Sequence, residues 1–393
     1  MNRLGWLTVW VVSIGWLVPV PPALAQPGGG AAGGSGPGGG AAATAAAVPA
    51  APPPIPADAR TTPAPEAFRP QIQAFIQGHL ARLSAEDPTV TAQSRAALFG
   101  EVMGSNTTSS YKDLYGATFA QLAVPLLGTA EPRVRLQVGV VAARLAASSD
   151  NTQMTAVAEK LLADANTAVV LWGLKTARGV LAFQTSLPAG LSGSRLPQLV
   201  AEAVVRHAKN GDITREGYDA LQLDVTRLPT MRGAVIQQLA PHVAAVLKAR
   251  AALYVTVFPE FADADRDAAT FFSNFAFAAL PAAQKVSVMQ VMTDIVMLSA
   301  LRGLEASGAE QRAMLEHAVN VGRNLFVIAQ TLNSRPTPQT RAFEEATQFF
   351  RTAGPIPPPP ADVVAAARRA FEALRAIPEY QSLTEPKLAS ASP

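Results

Sequence analysis

Cysteine is absent from this chain. Its absence removes disulfides, thiolate metal sites, a cysteine nucleophile and a lipid anchor on an N-terminal cysteine, so stability has to come from packing. Charge is scarce as well. Only 16% of residues are charged, where soluble domains average roughly 25%. The longest basic run is the pair Arg368-Arg369, and the net charge is +3. Even with a pI near 9.3, no cationic face is written into the sequence, and nucleic acid is not an expected partner. No stretch alternates apolar and polar residues with the period of a strand.

Catalytic signatures are missing too. The sequence contains no HExxH, no GxSxG elbow, no phosphate-cradling GxxxxGK[ST] and no GxGxxG at a strand–helix turn. His79, His207, His242 and His317 are isolated from one another, and each reads as a surface or helix-end residue. Asp263, Asp265 and Asp267 alternate as in a calcium loop, but Ala268 and Asn274 stand where that loop needs Gly and a bidentate acid. They read instead as an acidic first turn, favoured by the helix dipole, ahead of a buried Phe-rich helix. Glu344-Glu345 with Arg341 reads as solvated-face patterning. No catalytic, cofactor-binding or metal-binding residue is assigned, and no cofactor is expected.

What is present begins with an address. Arg3, the apolar run Leu4 to Val18 and the small-x-small triplet Ala23-Leu24-Ala25 have the three-part form of a secretory signal peptide, residues 1–25. Its removal takes Arg3 from the 32 basic residues and leaves 31 against 29 acidic, a net of +2. Residues 26–66 are dominated by Gly, Ala and Pro and read as a disordered linker. Export without cysteine points to a bacterial periplasmic, cell-surface or secreted protein.

From Ala67 to Ala353 the apolar period is helical. Phe68, Ile72, Phe75, Ile76, Leu80 and Leu83 share one face. The pattern recurs over Leu196–Ala208, Val235–Leu247, Val286–Leu304, Met314–Leu332 and Phe343–Phe350. Met289, Met292 and Met297 fit a central core helix better than a membrane span, since Gln290, Asp294 and Ser299 interrupt the run; no transmembrane helix is expected in the mature chain. Ser307 with Glu310 has the form of a capping box, and Thr337-Pro338 that of an N-cap with proline behind it. Residues 354–361 form a Pro-rich linker. Asp362 caps a short helix carrying Val363, Val364, Ala367, Phe371 and Leu374, within a C-terminal helix and tail of residues 362–393. That helix is expected to dock back on the main domain.

Two segments superpose clearly: Leu83 to Val90, with Asp87-Pro88, and Leu127 to Val134, with Glu131-Pro132. Leu162 to Val169, with Asn166, is a looser third copy. In each an acid or Asn starts a second helix and Val opens its buried stripe. Glu131-Pro132-Arg133-Val134-Arg135, followed by Val138, Val141, Ala142 and Leu145, resembles the inner-helix consensus of HEAT-type repeats. The resemblance covers about residues 80–183; Val170 departs from it, and no clear copies follow Phe183. It implies helix pairs stacked into a solenoid that binds a partner.

The expectation is therefore an all-α fold of stacked helix pairs, α-solenoid-like or an irregular bundle. A HEAT-like region over residues 67–225 runs into a bundle over residues 226–353. The expected function is an exported, non-enzymatic scaffold that binds an envelope protein or polymer, with Arg133 and Arg135 as exposed charges of the best repeat copy. The alternatives are an envelope-polymer hydrolase or lyase with acids from distant helices, and a bundle holding an apolar ligand within Ala234–Ala353.

Overall fold

A computed structural model describes residues 49–148, 152–187, 189–222 and 232–389. The expected signal peptide and most of the expected linker lie outside them. Among the described residues fifteen α-helices run in the order α1 (Ala57–Thr61), α2 (Arg69–Arg82), α3 (Pro88–Gly100), α4 (Ser109–Thr129), α5 (Pro132–Ser148), α6 (Thr155–Leu162), α7 (Thr167–Gln184) and α8 (Leu196–Arg206). There follow α9 (Gly211–Leu221), α10 (Arg232–Tyr254), α11 (Ala262–Phe271), α12 (Ala282–Glu305), α13 (Gly308–Leu332), α14 (Pro338–Thr352) and α15 (Pro360–Arg375). No strand occurs among the described residues.

The helices pair and the pairs stack. From α2 to α12 each even-numbered helix packs on the next even one, and from α3 to α13 each odd-numbered helix packs on the next odd one. Six pairs thus build two layers, and the stacking runs past Phe183, where sequence copies fade. No single pair could bury its apolar face alone. The starts of three second helices, α3, α7 and α9, are set locally. Asp87 accepts from the Thr89 N–H at 2.7 Å, Asn166 from Ala168 at 2.9 Å and Asn210 from Ile213 at 3.0 Å, each filling the orphan-donor position of an N-cap.

The opposite helix ends are held by arginines from later helices. Arg133 donates to the carbonyls of Ser84 and Ala85 after α2, at 2.7 Å each. Arg135 donates to Ala130 after α4, Arg206 to Leu162 at the end of α6, and Arg250 to Ala208 after α8. Arg302 reaches Tyr254 and Val255 at the end of α10 at 2.6 and 2.7 Å. The last carbonyls of a helix are unpaired and carry partial negative charge, so each guanidinium satisfies an orphan acceptor and the dipole together. These five arginines tie α2, α6, α8 and α10 to the next pair and α4 to its own partner α5.

Glycine sets the closest approaches. A Cβ at Gly173 would sit 2.9 Å from backbone atoms of Leu161 and Leu162, and one at Gly179 would sit 2.8 Å from the Ala146 carbonyl carbon. Gly173→Ala should cost about 1–3 kcal/mol through overpacking. Gly100→Ala, with nothing within 4 Å of its Cβ, should be neutral or slightly stabilising. Denaturant unfolding of the two variants separates these; equal effects would contradict so close a contact between α6 and α7.

Four expectations change. Residues 49–66 belong to the fold and not to the linker: Ile55, Ala59 and Pro65 are buried. Arg60 forks onto Glu101 at 2.8 Å, and its carbonyl accepts the Thr108 N–H. Proline-rich chain loses little entropy on ordering, and its rings pack. Ser307 does not cap α13 through its side chain, because Gly308 enters the helix at φ 64°. Asp362 lies inside α15, which begins at Pro360 behind Pro359. His79 and His317 are buried, not superficial.

Other expectations stand. Thr337 caps α14, and the box is closed by the Thr340 hydroxyl. The C-terminal helix α15 docks on α12 and α14, burying Val363, Val364, Ala367, Phe371 and Leu374. Long and apolar enough to cross a membrane by length and composition, α12 is surrounded by α10, α13 and α15 and buries all three methionines.

Candidate functional site

An open groove of about 750 Å³ lies on the odd-numbered layer across α5, α7 and α9. Ala143, Ala146, Ala147, Gly179 and Ala182 supply its small residues, while Trp172 and Phe183 supply aromatic surface. The helical period produces this directly, since 143, 146 and 147 share one face of α5 and 172, 175, 179, 182, 183 and 186 share one face of α7. Small residues at both helices let the backbones close and leave a trough above them.

The groove is cationic at its edges. Lys175 lies over the Trp172 ring at 5.5 Å and pairs with Glu216 at 3.1 Å. Arg178 contacts Glu216 at 3.6 Å and Asp219 at 3.4 Å. Burial raises the Asp219 carboxyl above its ordinary range, with Arg178 pulling the other way. Arg144 is exposed on the groove wall with no charged partner among the described residues. Two acids against three bases leave one positive charge available to a ligand.

Arg133 and Arg135 are elsewhere. Arg133 spends its guanidinium on the two carbonyls after α2. Arg135 forks onto Asp164 at 2.6 and 3.1 Å and donates to Ala130 as well. Both brace helix ends; Arg133 is exposed, as expected, and Arg135 is half-buried.

A second polar cluster is sealed inside the stack. Arg250 of α10 pairs with Asp265 of α11 at 3.1 Å, and both are fully buried. Tyr218 and Tyr254 donate to the same carboxylate at 3.1 and 2.9 Å. Tyr254 also lies 2.9 Å from His317 Nε2. Burial raises the Asp265 carboxyl, and the Arg250 guanidinium with the two phenols opposes that rise. With the Tyr254 proton committed to Asp265, His317 is the donor of its own contact and carries its proton on Nε2. Every donor is answered, and none of the five side chains is more than 5% exposed, so this cluster joins pairs and does not meet substrate. Asp265 is thus a buried ion-pair partner, more than the helix-start acid expected from sequence.

His317 gives a pH prediction. Burial, and then the charges of Arg266 and Arg250, push its pKa down to about 3, against about 6.5 unfolded. Its contribution is therefore present above pH 6.5 and lost as pH falls toward 3. The destabilisation caused by His317→Gln should shrink as unfolding is measured from pH 7 down to pH 4. A constant difference would contradict a neutral, buried His317.

Among the described residues no three metal-binding side chains come together. Set beside known proteins, the chain matches no family model and no curated sequence. Fold and site together define an all-α protein of stacked helix pairs carrying an open groove with aromatic and cationic walls.

Proposed function

We propose that the chain is an exported, non-enzymatic helical scaffold of the cell envelope, and that the α5–α7–α9 groove holds an extended acidic segment of a partner protein. The observation that carries this reading is the groove itself: a floor of alanine and glycine, Trp172 and Phe183 at its sides, and on its wall Arg144, with no charged partner among the described residues. An extended segment fits a trough of small residues better than a folded domain does. A carboxylate on it would meet Arg144, and its apolar side chains would lie on the two aromatic rings. The repeat resemblance and the two-layer stack agree with partner binding, and the sequence of residues 1–25 supports export.

The test is site-specific photocrosslinking from position 147, on the groove wall, in cells that make the full chain. One recurrent adduct, mapped to an Asp/Glu-rich stretch and lost in Arg144→Glu, is the expected result. An adduct at a neutral or basic segment, or one indifferent to Arg144→Glu, would overturn the reading.

A further inference from the structure

A cavity of about 400 Å³ lies between α10 and α12, where Ser382, Leu383, Pro386 and Lys387 of the C-terminal tail close over it. One side chain grips the tail backbone on both sides of Thr384. Gln290 of α12 donates through Nε2 to the Thr384 carbonyl at 2.8 Å and accepts the Thr384 N–H through Oε1 at 2.9 Å. Leu383 is buried beside this contact, and the Ala389 N–H reaches the Val255 carbonyl at 3.2 Å.

Asp294, one turn on from Gln290, lines the same cavity. Its Oδ1 accepts from Gln290 Nε2 at 2.6 Å, while Oδ2 has no hydrogen-bond partner among the described residues. Lys248 and Lys387 stand on the rim, exposed, and neither forms an ion pair with it. The remaining walls are largely apolar: Val255, Val286, Val291 and Leu298. A half-enclosed carboxylate without a counter-ion is an unfavourable arrangement that a bound cation relieves. Burial has in fact pushed its pKa up to about 6, so at neutral pH it is mostly charged.

We propose that this cavity binds a small organic ammonium ion, its head group paired with Asp294 Oδ2 and its apolar body laid against Val255, Val286, Val291 and Leu298. A bare metal ion suits the site poorly. Hard cations take six or more oxygens, and here one free carboxylate oxygen stands among valines and a leucine. The volume falls within the range of small-molecule sites. Gln290 touches both Asp294 and the tail, so the segment that closes the cavity is tied to the residue that would hold the cation. This inference stands apart from the groove on α5, α7 and α9.

Calorimetric titration of the full chain with phenethylammonium tests it, with 3-phenylpropionate as the probe of opposite charge. Saturable binding of the amine alone is expected, weakened about tenfold or more in Asp294→Asn, as loss of a charge-assisted bond implies. Asp294→Asn preserves shape and the Gln290 contact, and an unchanged unfolding midpoint would show the fold intact. Ala252→Leu, which fills the cavity and leaves the carboxylate in place, should weaken binding also. Absence of saturable amine binding, equal affinity in Asp294→Asn, or preference for the carboxylate probe would each overturn the proposal.

Discussion

Asp265→Ala is expected to lower the unfolding free energy by about 3–5 kcal/mol, the cost of leaving one member of a buried ion pair uncompensated. Arg250 would then keep only the Ala208 and Glu260 carbonyls as partners, and the phenols of Tyr218 and Tyr254 would lose their acceptor. The effect falls on several pairs together, since the cluster draws side chains from α9, α10, α11 and α13. Replacing Arg250 by Met and Asp265 by Leu together should cost much less than either truncation, because an apolar pair of similar volume leaves no orphaned charge. Denaturant midpoints with unchanged slopes measure both. A loss below about 1 kcal/mol for Asp265→Ala would show that water reaches the cluster.

Phe371→Ala should cost about 3–5 kcal/mol, as removal of a core aromatic does, because α15 is a structural element. Its ring is 3% exposed, and the surrounding Val363, Val364, Ala367 and Leu374 are buried. Arg368 lies on the other face, paired with Glu385 at 3.5 Å and largely exposed; Arg368→Ala should change stability by no more than about 0.5 kcal/mol. Thermal and denaturant unfolding of the two variants, read side by side, decide it. Were Phe371→Ala as mild as Arg368→Ala, α15 would be a dispensable appendage and not part of the core.

Much of the architecture follows from local chemistry. The helical period of Ile72, Phe75, Ile76 and Leu80 and the caps at Asp87, Asn166 and Thr337 are events within four residues, so the chain declares them directly. The arginine braces are different. Arg133 meets carbonyls 48 and 49 residues away, and Arg250 meets one 42 residues away; no local pattern marks a residue for such a partner. Asp265 was legible as a helix-start acid but not as the centre of a network, because Tyr218 lies 47 residues before it. Residues 49–66 read as linker from composition because it weighs proline as a breaker of helices and gives no weight to its packing, as at Pro52 on Gly78. In the groove, alanines that read as helix filler form the floor. Only the stacking of α5 on α7 shows that they come together there.

The most direct test of the central claim uses the tryptophan already in the groove. The chain has four, Trp6, Trp10, Trp16 and Trp172. With the first three replaced by phenylalanine, emission reports Trp172 alone. Titration with an extended peptide of alternating glutamate and leucine should shift or quench that emission saturably, weaken with added salt as exposed charge pairs do, and fail in Arg144→Glu. Emission that is unmoved by the acidic peptide, or that responds equally in Arg144→Glu, would contradict a groove built to hold an acidic segment.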